Sequence, residues 1–168
     1  NPEAIEQLGL SVLAAVPYSR QQERLEKERK GDILGHTPKL LAASAPGDLA
    51  NEAIRSLRTN LHFALLEARN NVVMLTSPAP GAGKSFVSSN LAAIVAQSGL
   101  RTLLIDADMR KGYLHRVFGL TPRHGLSDAL SSHRPLSDVI LPTEVPELDF
   151  ISCGFAAPNP SELLMHDN

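Results

Sequence analysis

The chain has 168 residues, long enough for one domain with a substantial core. Its 16 basic and 18 acidic residues leave a formal charge of −2, which gives no global pull toward nucleic acid or an anionic membrane. Cys153 is the only cysteine, so an internal disulfide is excluded, and no apolar run approaches the ~20 residues that cross a bilayer.

In chain order, residues 2–8 predict a short helix. Residues 10–16 predict a strand ended by Pro17. Residues 19–31 are highly charged with almost no apolar face. Glu23/Lys27 and Glu26/Lys30, each four apart, would support a solvated helix, and a linker fits the composition equally. From Asp48 to about Ala68 the pattern turns amphipathic: Leu49, Ala53, Ile54, Leu57, Leu61, Ala64 and Leu65 recur at helical spacing, with Asp48 as N-cap. Val72-Val73-Met74-Leu75 predicts a strand. A helix over residues 85–98 stops at Gly99. Residues 102–106 predict a fully buried strand of a parallel sheet, so strand, helix and strand make one βαβ unit. Short helices are expected near Gly125 and Leu136, and a late strand over residues 148–151. The fold class is α/β, with a mainly parallel sheet covered by helices on both faces.

Between the predicted strand Val72-Val73-Met74-Leu75 and the helix that follows lies Thr76-Ser77-Pro78-Ala79-Pro80-Gly81-Ala82-Gly83-Lys84-Ser85. Strand, glycine-rich turn, Gly-Lys-Ser and helix form the phosphate-binding loop of nucleotide hydrolases and kinases. Gly81 and Gly83 give the backbone conformations that bring its N–H groups to phosphate. Ala79, Pro80, Gly81, Ala82, Gly83, Lys84, Ser85 and Phe86 are the candidate nucleotide-binding residues. Lys84 would reach the outer phosphates of ATP, and the Ser85 hydroxyl would ligate Mg²⁺. Asp106 and Asp108 close the next strand, at the edge where parallel sheets bind ligands. One would hold the metal, Asp106 first, and the other would take a proton from an attacking hydroxyl. Capping of the strand end is the alternative reading. Arg110 and Lys111 follow, as transition-state cations or as surface charge. A dinucleotide fingerprint is set aside, because Gly81-Ala82-Gly83-Lys84-Ser85-Phe86 lacks the third glycine.

Leu103-Leu104-Ile105-Asp106-Ala107-Asp108-Met109-Arg110 resembles the second nucleotide motif of bacterial tyrosine kinases, the cytoplasmic kinase domains of polysaccharide co-polymerases. Glu52-Ala53-Ile54-Arg55-Ser56-Leu57-Arg58 is similar to their oligomerisation motif. Pro158-Asn159-Pro160-Ser161-Glu162-Leu163-Leu164 resembles another of their segments. Residues 9–17 resemble the stretch after their second membrane helix. The closer likeness is to the proteobacterial type, in which membrane and kinase parts share one polypeptide.

The resemblance implies a P-loop NTPase-like three-layer αβα sandwich. It implies residues 1–18 as a juxtamembrane-side helix and strand that pack on the kinase domain. Residues 19–47 become a charged linker and residues 48–168 the kinase domain. It implies an ATP- and Mg²⁺-dependent tyrosine autokinase that phosphorylates neighbouring subunits and regulates capsular or exopolysaccharide synthesis and export. Lys84, Asp106 and Asp108 would be catalytic, and Ser85 and Asp106 would hold the metal. Glu52, Arg55 and Arg58 would form the contact of a homo-oligomeric ring, internal salt bridging being the alternative. Tyr113 matches a regulatory tyrosine, whereas Cys153 stands where an arginine usually receives its phosphate. The implied partners are the polysaccharide export machinery and a tyrosine phosphatase, with no nucleic acid. The implied place is the cytoplasmic face of the inner membrane, reached through segments outside this chain. The third nucleotide motif, an apolar strand ending in aspartate, would follow Pro158-Asn159-Pro160, so the chain is expected to be part of a longer protein. Two other readings stay open: a nucleotide-operated oligomerisation scaffold, and a partitioning-type P-loop ATPase. The second is disfavoured by Ala79, where partitioning enzymes carry a signature lysine.

Overall fold

The computed structural model describes residues 2–31, 40–131 and 134–165. Helix α1 (Pro2–Glu6) is the expected short N-terminal helix. Residues 10–17 form no strand and pair with none, which corrects the strand expected over residues 10–16. Val16 packs into the core, and the Leu13 carbonyl accepts a hydrogen bond from the Asn60 side chain, so the segment lies along a helix.

Helix α2 (Arg20–Gly31) realises the helical alternative for the charged segment. The Ser19 hydroxyl accepts the Gln22 N–H at 3.1 Å as its cap, and Lys27 pairs with Glu23 at 2.7 Å. The Lys30 side chain of the expected Glu26/Lys30 pair and residues 32–39 of the expected linker lie outside what is described. Helix α3 (Leu41–Ser44) follows, and α4 (Leu49–Leu65) begins where expected, with Asp48 Oδ1 accepting the Ala50 N–H at 2.8 Å. Asp48 Oδ2 also accepts the Ser19 hydroxyl at 2.7 Å, which ties the starts of α2 and α4 together.

Helix α5 (Lys84–Gln97) packs between α4 and the sheet. It is apolar nearly all round, which is why it is central. Ala93, Ile94 and Ala96 are buried, and Ile54 of α4 meets this layer. Two buried asparagines hold the chain before α4 against these helices. Asn90 Oδ1 accepts the Ala42 N–H at 2.8 Å, and Asn51 Nδ2 donates to the carbonyls of Leu41 and Ala45. Helix α5 stops as expected, with Gly99 at φ +86.

The sheet has the order β1-β3-β2, with β1 (Thr102–Ile105), β2 (Leu141–Pro142) and β3 (Leu148–Ile151). The pair β1 and β3 is parallel, with Leu104 opposite Phe150, and β2 adds an antiparallel edge. Phe150 is fully buried and stacks on Phe118 with ring centroids 5.2 Å apart. Helix α6 (Leu126–Leu130) and a 3₁₀ turn (Leu136–Asp138) fall where helices were expected, and α7 (Pro160–Met165) ends the described chain.

Two expectations fail around β1. Val72 to Leu75 form no strand, so the βαβ unit is not closed among the described residues. Val72 and Met74 are 78% and 84% exposed. Strand β1 is not fully buried either, since Leu103 and Ile105 are each 44% exposed. A groove of about 710 Å³ explains both. It separates Val73 and Leu75 from Leu103 and Leu104, and its floor is Leu91 and Ala92 of α5. With a groove between them, neither edge has a ladder partner.

Candidate nucleotide site

The phosphate loop is built as its sequence implies. Gly81 and Gly83 have φ of +78 and +87, the left-handed region where a side chain is strained, and space is open where a Cβ would stand. Gly83 is the N-cap of α5, and its carbonyl accepts the Val87 N–H at 2.9 Å. By helix geometry the N–H groups of Lys84, Ser85 and Phe86 have no intrahelical acceptor. They point with the helix dipole into the loop, which suits an anion. Residues 79–82 are exposed, and Lys84 and Ser85 half-buried.

Asp106 directly follows β1 and is only 4% exposed. Its Oδ1 accepts the Asp108 N–H at 3.2 Å and its Oδ2 the Leu114 N–H at 3.1 Å. Burial pushes its carboxyl above the usual carboxylate range, against the pull of those two N–H groups. Asp108 is exposed, and its Oδ1 accepts the N–H groups of Arg110 and Lys111. The two aspartates thus fold residues 106–114 into a tight loop as well as offering carboxylate oxygen. The capping reading is part of the answer and leaves the catalytic one standing.

The raised Asp106 carboxyl has a pH consequence. Its folded pKa lies above the unfolded value, so the native state binds more protons in the window between them. Stability therefore falls as pH rises from about 4 through the folded pKa and is flat above it. Denaturant midpoints of the chain and of Asp106→Asn, compared from pH 3 to 8, should differ by this downward step. Parallel profiles would refute it.

Sequence reasoning missed what supports this loop. Cys153 is half-buried, and a Cβ on Gly112 would lie 2.6 Å from its Sγ, so Gly112 leaves the room that the thiol fills. Burial, then Asp106, pushes the Cys153 thiol up, so it stays protonated and is no cation for a phosphate. Behind it, Leu126 and Ser127 donate to the carbonyls of Ser152 and Cys153 at 2.8 and 3.1 Å, pinning the end of β3 to α6. Tyr113 is 42% exposed and is the N-cap residue of the 3₁₀ turn Leu114–Arg116.

Along α4, Glu52 and Arg55 pair with each other, and Arg55 also donates to the Pro46 carbonyl at 3.0 Å. Arg58 instead lines the groove. The groove belongs to the sheet edge rather than to the phosphate loop. Among the described residues no three His, Cys, Asp or Glu side chains gather as a metal cage. A hydroxyl and one or two carboxylates are the hard oxygen set that Mg²⁺ accepts when phosphates complete its shell, so Ser85 and Asp106 fit that ion.

A left-handed glycine pair, a Lys-Ser helix start and a strand ending in aspartate define a P-loop nucleotide-binding protein. Residues 68–166 match the family model described as "ParA: NUBPL iron-transfer P-loop NTPase". The chain belongs to this P-loop NTPase family, whose members bind a nucleotide together with a metal ion. Over its whole length it is similar to kinase domains of bacterial tyrosine kinases. It is 47% identical to the tyrosine-protein kinase wzc of Salmonella typhimurium, covering 99% of this chain and 24% of that protein. The structure of the BceF tyrosine kinase domain matches at TM-score 0.90 and 46% identity, over 99% of this chain and 66% of that one. The kinase domain of Escherichia coli tyrosine kinase ETK matches at TM-score 0.87 and 44% identity, over 99% and 65%. The chain thus spans about a quarter of the curated relatives it matches and about two thirds of the solved domains.

Proposed function

We propose that this chain is part of a tyrosine autokinase, which moves the γ-phosphoryl group of ATP to tyrosine hydroxyls of neighbouring subunits. The observation that carries nucleotide chemistry is the left-handed Gly81/Gly83 pair opening onto Lys84 and Ser85 at the head of α5. The choice of tyrosine as acceptor is supported by the whole-length likeness to tyrosine kinases. Lys84 binds the outer phosphates, Ser85 and Asp106 hold Mg²⁺, and Ala79 to Gly83 cradle phosphate through their backbone. Mg²⁺, when bound, neutralises phosphate charge. Asp108, the exposed carboxylate, receives the tyrosine proton. The same reading places the protein at the cytoplasmic face of a membrane, in polysaccharide export, with a phosphatase as counterpart. It divides the chain into residues 1–18, 19–47 and 48–168. No described helix is long and apolar enough to cross a membrane. The test is phosphotyrosine on the full-length protein incubated with ATP and Mg²⁺. Nucleotide-dependent assembly without phosphotyrosine would favour the scaffold instead. Tyr113 is the proposed regulatory site: Tyr113→Phe should change the rate in the same assay, and an unchanged rate makes it a packing residue.

Glu52, Arg55 and Arg58 are proposed as the intersubunit contact. Their mutual pair is solvent-facing and contributes little to the isolated fold, on the order of 0.5 kcal/mol. Replacing all three by Ala in the full-length protein should leave thermal unfolding of the domain nearly unchanged and reduce the assembly to monomers. Light scattering that still shows the large assembly would sink this contact.

A further inference from the structure

We propose that Tyr18 is a phosphoryl acceptor of this kinase, modified by a neighbouring copy, at the root of the helix that bears the intersubunit contact. This rests on the tyrosine-kinase reading above. The chain has two tyrosines, Tyr18 and Tyr113. Tyr18 is the more open, at 77% exposure. Its hydroxyl donates a hydrogen bond to Glu23, which holds the phenol oxygen at the surface at the start of α2.

The next residue connects this tyrosine to α4. The Ser19 hydroxyl caps α2 through Gln22 and donates to Asp48 Oδ2, and Asp48 Oδ1 caps α4 through Ala50. Glu52 and Arg55 stand on the first two turns of α4. Tyr18 therefore sits one residue and one hydrogen bond away from the end of the helix assigned to the neighbour. Exposed there, the Tyr18 hydroxyl is accessible to a second copy.

In the transfer, Tyr18 Oη attacks the γ-phosphorus of ATP. The Oη–P bond forms, the bond from that phosphorus to the β,γ-bridging oxygen breaks, and ADP leaves with its electron pair. The phenolic proton passes to the Asp108 carboxylate of the donating copy, as the hydrogen bond to Glu23 is given up. The product carries nearly two negative charges and no hydroxyl proton, so the Tyr18–Glu23 hydrogen bond becomes a repulsion. Lys27, now bound to Glu23 at 2.7 Å, is the cation placed to turn toward the phosphate. This rearrangement strains the Ser19–Asp48 clasp and weakens the assembly that α4 supports.

Full-length protein incubated with ATP and Mg²⁺ is digested and its phosphotyrosines mapped by mass spectrometry. Phosphate is expected on the peptide holding Tyr18, and Tyr18→Phe should remove it while other tyrosines stay modified. Phosphotyrosine elsewhere with an unmodified Tyr18 peptide overturns this inference and leaves the kinase reading intact. No phosphotyrosine anywhere overturns both. Light scattering of Tyr18→Phe before and after ATP reads the coupling. If the wild type and the variant lose assembly equally on phosphorylation, Tyr18 has no hold on α4.

Discussion

Lys84→Met in the full-length protein should lower affinity for ATP·Mg²⁺ by roughly 10- to 150-fold and remove phosphotyrosine. Lys84 is the first residue of α5, directly after Gly83 at φ +87, so its ammonium and the helix N–H groups serve the same anion. A charge-assisted hydrogen bond contributes about 1.5–3 kcal/mol, which is that range of affinity per bond. Methionine keeps the length and the helix propensity of lysine, so α5 and its buried Ala93, Ile94 and Ala96 should be undisturbed. Calorimetric titration with ATP analogues, beside a thermal melt, separates the two effects. Equal affinity in variant and wild type would remove the phosphate-loop reading.

The second large effect concerns the groove beside β1. A chain extended to include the rest of a matched kinase domain should melt at least about 6 °C higher than this one. The groove has two unsatisfied walls. Thr102 and Asp106 turn their N–H groups to Glu147 and Ile151, so by strand alternation those of Leu103 and Ile105 face the open edge. Across the groove stand Val73 and Leu75, on a segment whose Val72 and Met74 are exposed and which pairs with nothing described. A strand laid between them would satisfy both ladders. Covering Val72 and Met74 alone is worth about 1.5–3 kcal/mol each, and roughly 2–4 °C accompanies each kcal/mol in a domain of this size. Hydrogen exchange gives the local readout: the Leu103 and Ile105 amides should become protected in the longer chain. If they exchange as fast as before, the groove is not a strand site.

These effects also mark where the sequence was readable. The Gly83-Lys84 junction was legible because glycine, lysine and an apolar helix pattern each state a local requirement. So were Asp48 as a cap and Gly99 as a stop. Residues 10–16 misled because a largely apolar run ended by proline reads as a strand, whereas Val16 obtains its cover from the helical core instead. Val72 to Leu75 misled for the complementary reason: the pattern is a strand's, but a ladder needs a partner, and partnership is not written in the segment. Asp106 was read as a ligand from its place after an apolar run. Its anchoring of Leu114, eight residues on, has no sequence signal at all. Nor has the fit of Cys153 into the space that Gly112 leaves.

Transfer of phosphate from one subunit to the tyrosine of another is read directly by a mixing experiment. Full-length Lys84→Met protein, distinguishable by mass, is mixed with wild type, ATP and Mg²⁺. Phosphotyrosine on the Lys84→Met subunits is the predicted result, since they can accept but not donate. Release of free phosphate with no phosphotyrosine on either population would contradict the account and make this an ATPase.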